Sequence, residues 1–307
     1  MKFSFLKISL SACLFMTAAS NFSFAEPAIS LKDQTVKIEE LTGLKGKYDE
    51  KEAVFKVSFP RTDVPISVDG RQMDPFMGLT SWAGFQSDPK GGLMVMGDLV
   101  LFQDEVNPVL SVLLDNGLEV TALHNHFFYD DPKVFFMHIG GKGEIEKLAS
   151  AVRKALDKVK EIRSKTPQPA HGFGGAEITE KNSITPQTIE DILGAKGEAK
   201  AGMFKAVLAR KTKMPCGCEV GKNMGVNTWA AFAGSDDKAF VDGDFAMLAS
   251  EVQSVLKVLR SNNINIVAIH SHMNEETPRI IFLHYWGMGS TTNLAKSLKA
   301  ALDTQAK

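Results

Sequence analysis

The stretch Ile264–Ser290, INIVAIHSHMNEETPRIIFLHYWGMGS, decides how this chain reads, because an earlier stretch, Leu118–Gly143, is a second copy of it. Laid together without a gap, Gly97–Gly143 and Gly243–Gly289 share 17 identities in 47 positions. The identities include His124 with His270, His126 with His272, Pro132 with Pro278 and His138 with His284. Six of the seven histidines lie in these copies, each time as His-x-His followed twelve residues later by a third His. The duplication extends outward. IEELTGLKG from Ile38 recurs as IEDILGAKG from Ile189, and MGLTSWAGFQ from Met77 recurs as MGVNTWAAFA from Met224, with Trp82 and Trp229 in equivalent places. A repeat of nearly half of 307 residues implies two related units.

Within each unit, apolar spacing sets the elements. Val106, Val109, Leu110, Leu113 and Leu114 fall on one helical face, as do Val252, Val255, Leu256 and Leu259. Asn116-Gly117 and Asn262-Asn263 are stop signals of the C-cap kind. Strands are expected at Ala53–Pro60, Met203–Ala209 and Leu93–Gln103, and a histidine hairpin precedes a second helix in each copy. This order predicts an α+β fold of two tandem homologous units, each a mostly antiparallel sheet with two main helices. The units cover residues 26–163 and 186–307, joined by a Pro/Gly linker at 164–185 that carries HGFGG and a lone surface histidine, His171. WGMGS is expected as a plain turn opening the last helix.

The N-terminus reads separately. Lys2 and Lys7 flank the start of the apolar run ISLSACLFMTAA, and Ser23-Phe24-Ala25 is a small-x-small cleavage pattern, so residues 1–25 are expected to be a secretory signal peptide. Leu10-Ser11-Ala12-Cys13 also has the residues for a lipid anchor at Cys13, the less favoured alternative because the apolar run before it is short. Past residue 25 no apolar run approaches the roughly 20 residues needed to cross a bilayer. A formal charge of −1 offers no field for nucleic acid. The expected location is the periplasm or cell envelope.

Alternate strand residues share a face, so His124 and His126 project together, as do His270 and His272. If the turns at Tyr129–Pro132 and Glu275–Pro278 are centred, His138 comes opposite His124 and His284 opposite His270, and three imidazoles converge. Such a set suits a divalent transition metal, whether zinc, copper, nickel or iron, or another small polar ligand. Asp130 and Glu276 are equivalent acids near the turns and are candidate catalytic groups; Trp286 and Tyr285 are candidate ligand-binding residues. Three functions stay open: a metal- or ligand-binding protein, a metal-dependent hydrolase, and a non-catalytic envelope interaction protein whose histidines are structural. Cys216 and Cys218 align with Ile66 and Val68, which places them on the inward face of a strand as small apolar residues, with a metal or redox role as the alternative.

With MGVNTWAAFAGSDD (Met224–Asp237), VDGDFAML (Val241–Leu248), VAIHSHM (Val267–Met273), PRIIFLHYWG (Pro278–Gly287) and the signal peptide, the chain resembles the LppY/LpqO family of exported bacterial proteins. The resemblance spans nearly the whole chain after residue 25. It implies export and a domain of unknown function, and its lipoprotein namesakes keep the Cys13 anchor in view. Ser271 stands where a fuller His-His-His pattern of that family has a middle histidine; on a strand this position faces away from its neighbours.

Overall fold

Alternation of more and less buried residues runs through most of the twelve strands that join into one sheet. The computed structural model describes Met1, residues 30–174, residue 178 and residues 181–305; apart from Met1, the expected signal peptide, with Cys13, falls outside these. We label the sheet strands β1 (Gly46–Asp49), β2 (Val54–Pro60), β3 (Thr80–Ser87), β4 (Leu93–Phe102), β5 (Glu119–His124) and β6 (Val134–Gly143) in the first half. The second half supplies β7 (Gly197–Lys200), β8 (Met203–Ala209), β9 (Asn227–Gly234), β10 (Ala239–Leu248), β11 (Asn265–His270) and β12 (Ile280–Gly289). The order across the sheet is β1-β2-β3-β4-β6-β5-β11-β12-β10-β9-β8-β7, antiparallel at every step. Read from either end, the succession is the same, so the halves are related by a local two-fold axis at the β5–β11 junction. The α+β expectation holds, but the two expected sheets are one.

The helices are α1 (Leu31–Thr42), α2 (Gln103–Asp115), α3 (Ile145–Lys165), α4 (Pro186–Leu193), α5 (Val252–Ser261) and α6 (Thr291–Leu302). The repeated IEELTGLKG and IEDILGAKG segments lie over the ends of α1 and α4, where Gly43 and Gly194 both take φ +68° to close the helix. The apolar stripes of α2 and α5 are fully buried against the sheet in one core with Leu99, Leu123, Ile139, Ile269 and Leu283. Leu123 and Ile269 lie on the helix-covered side, so alternation turns His124 and His270 to the opposite face. Among the described residues, that face carries small satellite cores under loops, one around Val64, Ile66, Val100 and Phe136, the other around Val226, Ala246 and Phe282.

The junction itself is narrow, since β5 and β11 pair at one position, Leu123 with Ile269. Both strands are irregular just before it, between Val120 and Ala122 and between Ile266 and Ala268. Backbone groups freed there must find partners. Asn107 of α2 supplies them across the junction: its side-chain amide accepts from the Ile266 N–H at 2.7 Å and donates to the Ile266 carbonyl at 3.1 Å. Gln253 of α5 does the same for Val120, at 3.1 and 2.9 Å. Each half thus closes the gap in the other.

A second duplicated device ties each open-face loop to a helix start. Buried Arg61 pairs with buried Glu105 and donates to the Val100 carbonyl, while Glu105 also accepts from the Phe102 N–H. Arg210, Glu251, Ala246 and Leu248 repeat this arrangement. The loops differ in length, though. The equivalent bonds Arg61 N–H to Leu79 carbonyl and Arg210 N–H to Val226 carbonyl enclose a second loop two residues shorter. This corrects the cysteine expectation. Cys216 and Cys218 are exposed in a tight hairpin between Thr212–Lys213 and Glu219–Val220, joined as a disulfide, with Gly217 at φ +79° turning the chain. The matching of Ile66 and Val68 with cysteines fails because the register of the shorter loop has moved. WGMGS is likewise not a turn: it continues β12 to Gly289, and Ser290 caps α6 by accepting from the Asn293 N–H.

Glu105→Ala leaves the buried guanidinium of Arg61 without its main counter-ion, and is expected to lower the unfolding free energy by about 3–5 kcal/mol. Glu161→Ala, which removes exposed, solvent-screened pairs with Lys158 and Lys165, should cost far less. Urea titration of the two variants checks this; equal losses would contradict the assignment of the clamp.

Candidate metal centre

The histidines meet as expected in face but not in register. His124 lies opposite Phe136 and His138 opposite Ala122; in the second half His270 lies opposite Phe282 and His284 opposite Ala268. The expected pairing of His124 with His138 is therefore off by two residues, because the connection at residues 125–133 is not centred on its turn. A slip of two keeps the face. The rings meet diagonally instead, stacked 5.2 Å apart for His124 and His138 and 4.8 Å for His270 and His284. His126 and His272 lie just beyond the strand ends, and each folds back flat over a buried phenylalanine, His126 on Phe136 at 3.3 Å and His272 on Phe282 at 3.5 Å.

A carboxylate completes the set. Asp244 of β10 pairs in register with His284, and Asp98 of β4 with His138. One donor atom each from Asp244, His270 and His284 falls within a span of 4.8 Å, the group of this kind found among the described residues. His272 adjoins it, with Nε2 3.2 Å from His270 Nε2 and 3.4 Å from an Asp244 carboxylate oxygen. Backbone carbonyls orient two of the rings: His284 Nδ1 faces the Gly243 carbonyl at 3.2 Å and His272 Nδ1 faces the Gly225 carbonyl at 3.3 Å. With Nδ1–H donating there, Nε2 of each carries the lone pair, the tautomer that ligates metals.

The electrostatics of this group fit a cation. Asp244 is 2% exposed, and burial pushes its carboxyl up to about 6. Burial, followed by the neighbouring His284 and His272, pushes His270 down to about 4. His272 is lowered too, chiefly by burial. Imidazoles of lowered basicity at His270 and His272, beside a poorly solvated carboxylate, belong to a donor set that a divalent ion stabilises. Two buried atoms, Asp244 Oδ1 and His270 Nδ1, have no hydrogen-bond partner among the described residues. In the first half, Asp98 Oδ1 is likewise unpartnered, and burial lowers His124 and His126.

The remaining sequence-predicted residues have other surroundings. Glu276 is buried and accepts from the Ile280 N–H at 3.0 Å; half-buried Asp130 accepts from the Val134 N–H at 2.7 Å. Both carboxylates hold the hairpin turns, each next to a cis X-Pro bond, Asp131-Pro132 or Thr277-Pro278. Tyr285 is buried on the helix side and donates to the Trp229 carbonyl at 2.9 Å. Its ring lies over Gly243, where a Cβ would come 2.1 Å from the hydroxyl oxygen, so glycine is needed beside Asp244. Trp286 is on the open face, stacked on Phe240 at 4.7 Å. The residues missed by sequence reasoning are Asp98 and Asp244. Their signal was present: the pair is one of the identities between the copies, on the strand just before the one that ends in His124 or His270.

The family described as Domain of Unknown Function (DUF1259) matches residues 36–158 and, a second time, residues 187–304. The chain belongs to this family. Each DUF1259 segment contains one complete set of an aspartate and three histidines, so the set is a property of the repeated unit. No curated protein matches the chain. Among solved structures, a trimeric bacterial microcompartment shell protein, PduB, aligns at 12% identity over 84% of this chain and 89% of that chain, with a TM-score of 0.19, too low to carry an argument.

A folded-state pKa above the ordinary value means that Asp244 of metal-free protein opposes folding by an amount that is absent below the ordinary value of 3.8, grows as pH rises from there, and is complete above about 6. Asp244→Asn in metal-free protein should therefore gain stability over the parent by on the order of 2 kcal/mol more at pH 8 than at pH 4. Denaturation curves at the two pH values provide the check; a pH-independent difference would remove the claim that Asp244 is charged and poorly solvated.

Proposed function

We propose that this chain is an exported protein of the LppY/LpqO kind that binds a divalent transition metal through Asp244, His270 and His284, with His272 beside them. The observation that carries this reading is the meeting of three donor atoms within 4.8 Å, two of whose residues hold buried, unpartnered polar atoms. Two imidazoles and a carboxylate suit zinc and its first-row neighbours, at metal–ligand distances of about 2.0–2.2 Å after small side-chain adjustments. Three protein donors leave a position for water or a ligand, the pattern of catalytic or transport centres and not of closed structural ones. Export is supported by the N-terminal run and its cleavage pattern, the features of a secretory signal, and the compartment we propose is the periplasm or cell envelope.

Elemental analysis by mass spectrometry, on protein never exposed to an immobilised-metal column, is expected to find a transition metal at or above one equivalent. His270→Ala combined with His284→Ala should remove at least one equivalent while leaving the far-ultraviolet circular dichroism largely unchanged. Retention of the full metal content by a folded double variant would overturn the assignment.

A further inference from the structure

Beside the metal group, the open face dips into a cavity of about 490 Å³ that reaches His284. It exists because β5 ends at His124, which leaves a gap in the sheet between Phe135 of β6 and the irregular segment Ile266–Val267 of β11. Its walls are mostly apolar and aromatic, with Phe135, Val267, Trp286 and, from the linker, Phe173. Asp242, opposite Trp286 on the neighbouring strand, supplies a carboxylate, and His284 stands where the cavity meets the metal group. The volume is within the usual range for small-molecule sites, and a few polar groups in an apolar wall are their usual composition.

The first half is an internal control for these residues. It builds the same strands with Gly140 in place of Trp286 and Met96 in place of Asp242, and Met96 lies exposed opposite Gly140. The fold therefore has no need of an indole or a carboxylate at these positions. Phe173 is also mostly exposed, at 60%, in a linker that occurs once in the chain, so folding gains little from burying it. Three features that the duplicated architecture does not require converge on one cavity, and that cavity adjoins the half in which the donor atoms are gathered.

We propose that this cavity binds a small aromatic compound that carries an oxygen donor for the metal at one end and a hydroxyl or amine for Asp242 at the other; the proposal rests on the metal reading above. Residues two apart on a strand are roughly 6.5–7 Å apart, so Asp244 in the metal group and Asp242 in the cavity are spaced for a ligand of about one ring's length. Trp286 and Phe173 supply faces for the ring, and such stacking adds to the gain from burying its surface.

The test uses zinc-loaded full-length protein and two hydroxamate probes, 4-hydroxybenzohydroxamic acid and acetohydroxamic acid, titrated by calorimetry with zinc content measured on the same samples before and after. The aryl probe is expected to bind at least tenfold more tightly than the methyl probe. Trp286→Gly, which installs the residue of the first half, and Phe173→Ala should each reduce this preference at least threefold while keeping zinc. Equal affinity of the two probes for zinc-loaded parent protein, or an undiminished preference in both variants, would overturn the cavity proposal and leave the metal reading intact. Failure of the parent protein to take up zinc or another divalent transition metal would overturn both.

Discussion

Two side-chain amides hold the molecule together at its weakest line. A twelve-stranded sheet closes through one residue pair at its centre, and an irregular strand on each side of that pair leaves backbone groups that water cannot reach easily. Asn107 and Gln253 meet those groups from the opposite half, with both donor and acceptor used in each case. A buried backbone group without a partner costs about 1–3 kcal/mol, so four satisfied groups outweigh the modest contribution of the single strand pair. The irregularities matter to the site as well, because they let His124 and His270 end their strands beside the dyad with their rings on the uncovered face.

The candidate centre shows how a sheet can gather ligands without loops. Cross-strand neighbours are set by register, so Asp244 and His284 are side by side once β10 and β12 pair, and His270 reaches them diagonally from β11. Gly243 lets Tyr285 pass beneath and offers its carbonyl to His284. The aspartate is thus held by strands on both sides and by a tyrosine that packs under it. Rigid elements of this kind keep donor atoms in place even where their charges oppose burial, which is what a binding site requires.

Much of this was legible in the sequence, for identifiable reasons. The stripes of α2 and α5 could be read because a 3.6-residue period survives any tertiary context that buries one face, and the sharing of a face by the histidines survived because a two-residue slip preserves parity. The union of the halves into one sheet was not readable, since it depends on Leu123 meeting Ile269, two residues with nothing in their identity to mark them as partners. Asp98 and Asp244 were not readable, since their place beside the histidines depends on strand register, whereas Asp130 and Glu276 stand near the turns in sequence but bind backbone amides. The cysteines were misplaced by assuming equal loop lengths between halves.

The palindromic strand order has a wider consequence. The arrangement is the one a homodimer would make by adding two identical sheets edge to edge, yet here both protomer equivalents are encoded in tandem. In an assembly of identical subunits every substitution appears twice, so a tryptophan installed at one site must be accommodated at the other. Covalent fusion lifts that obligation. It permits Trp286 beside one set of imidazoles and Gly140 beside the other, so that one lobe can specialise while its twin continues to serve as the scaffold that completes the sheet.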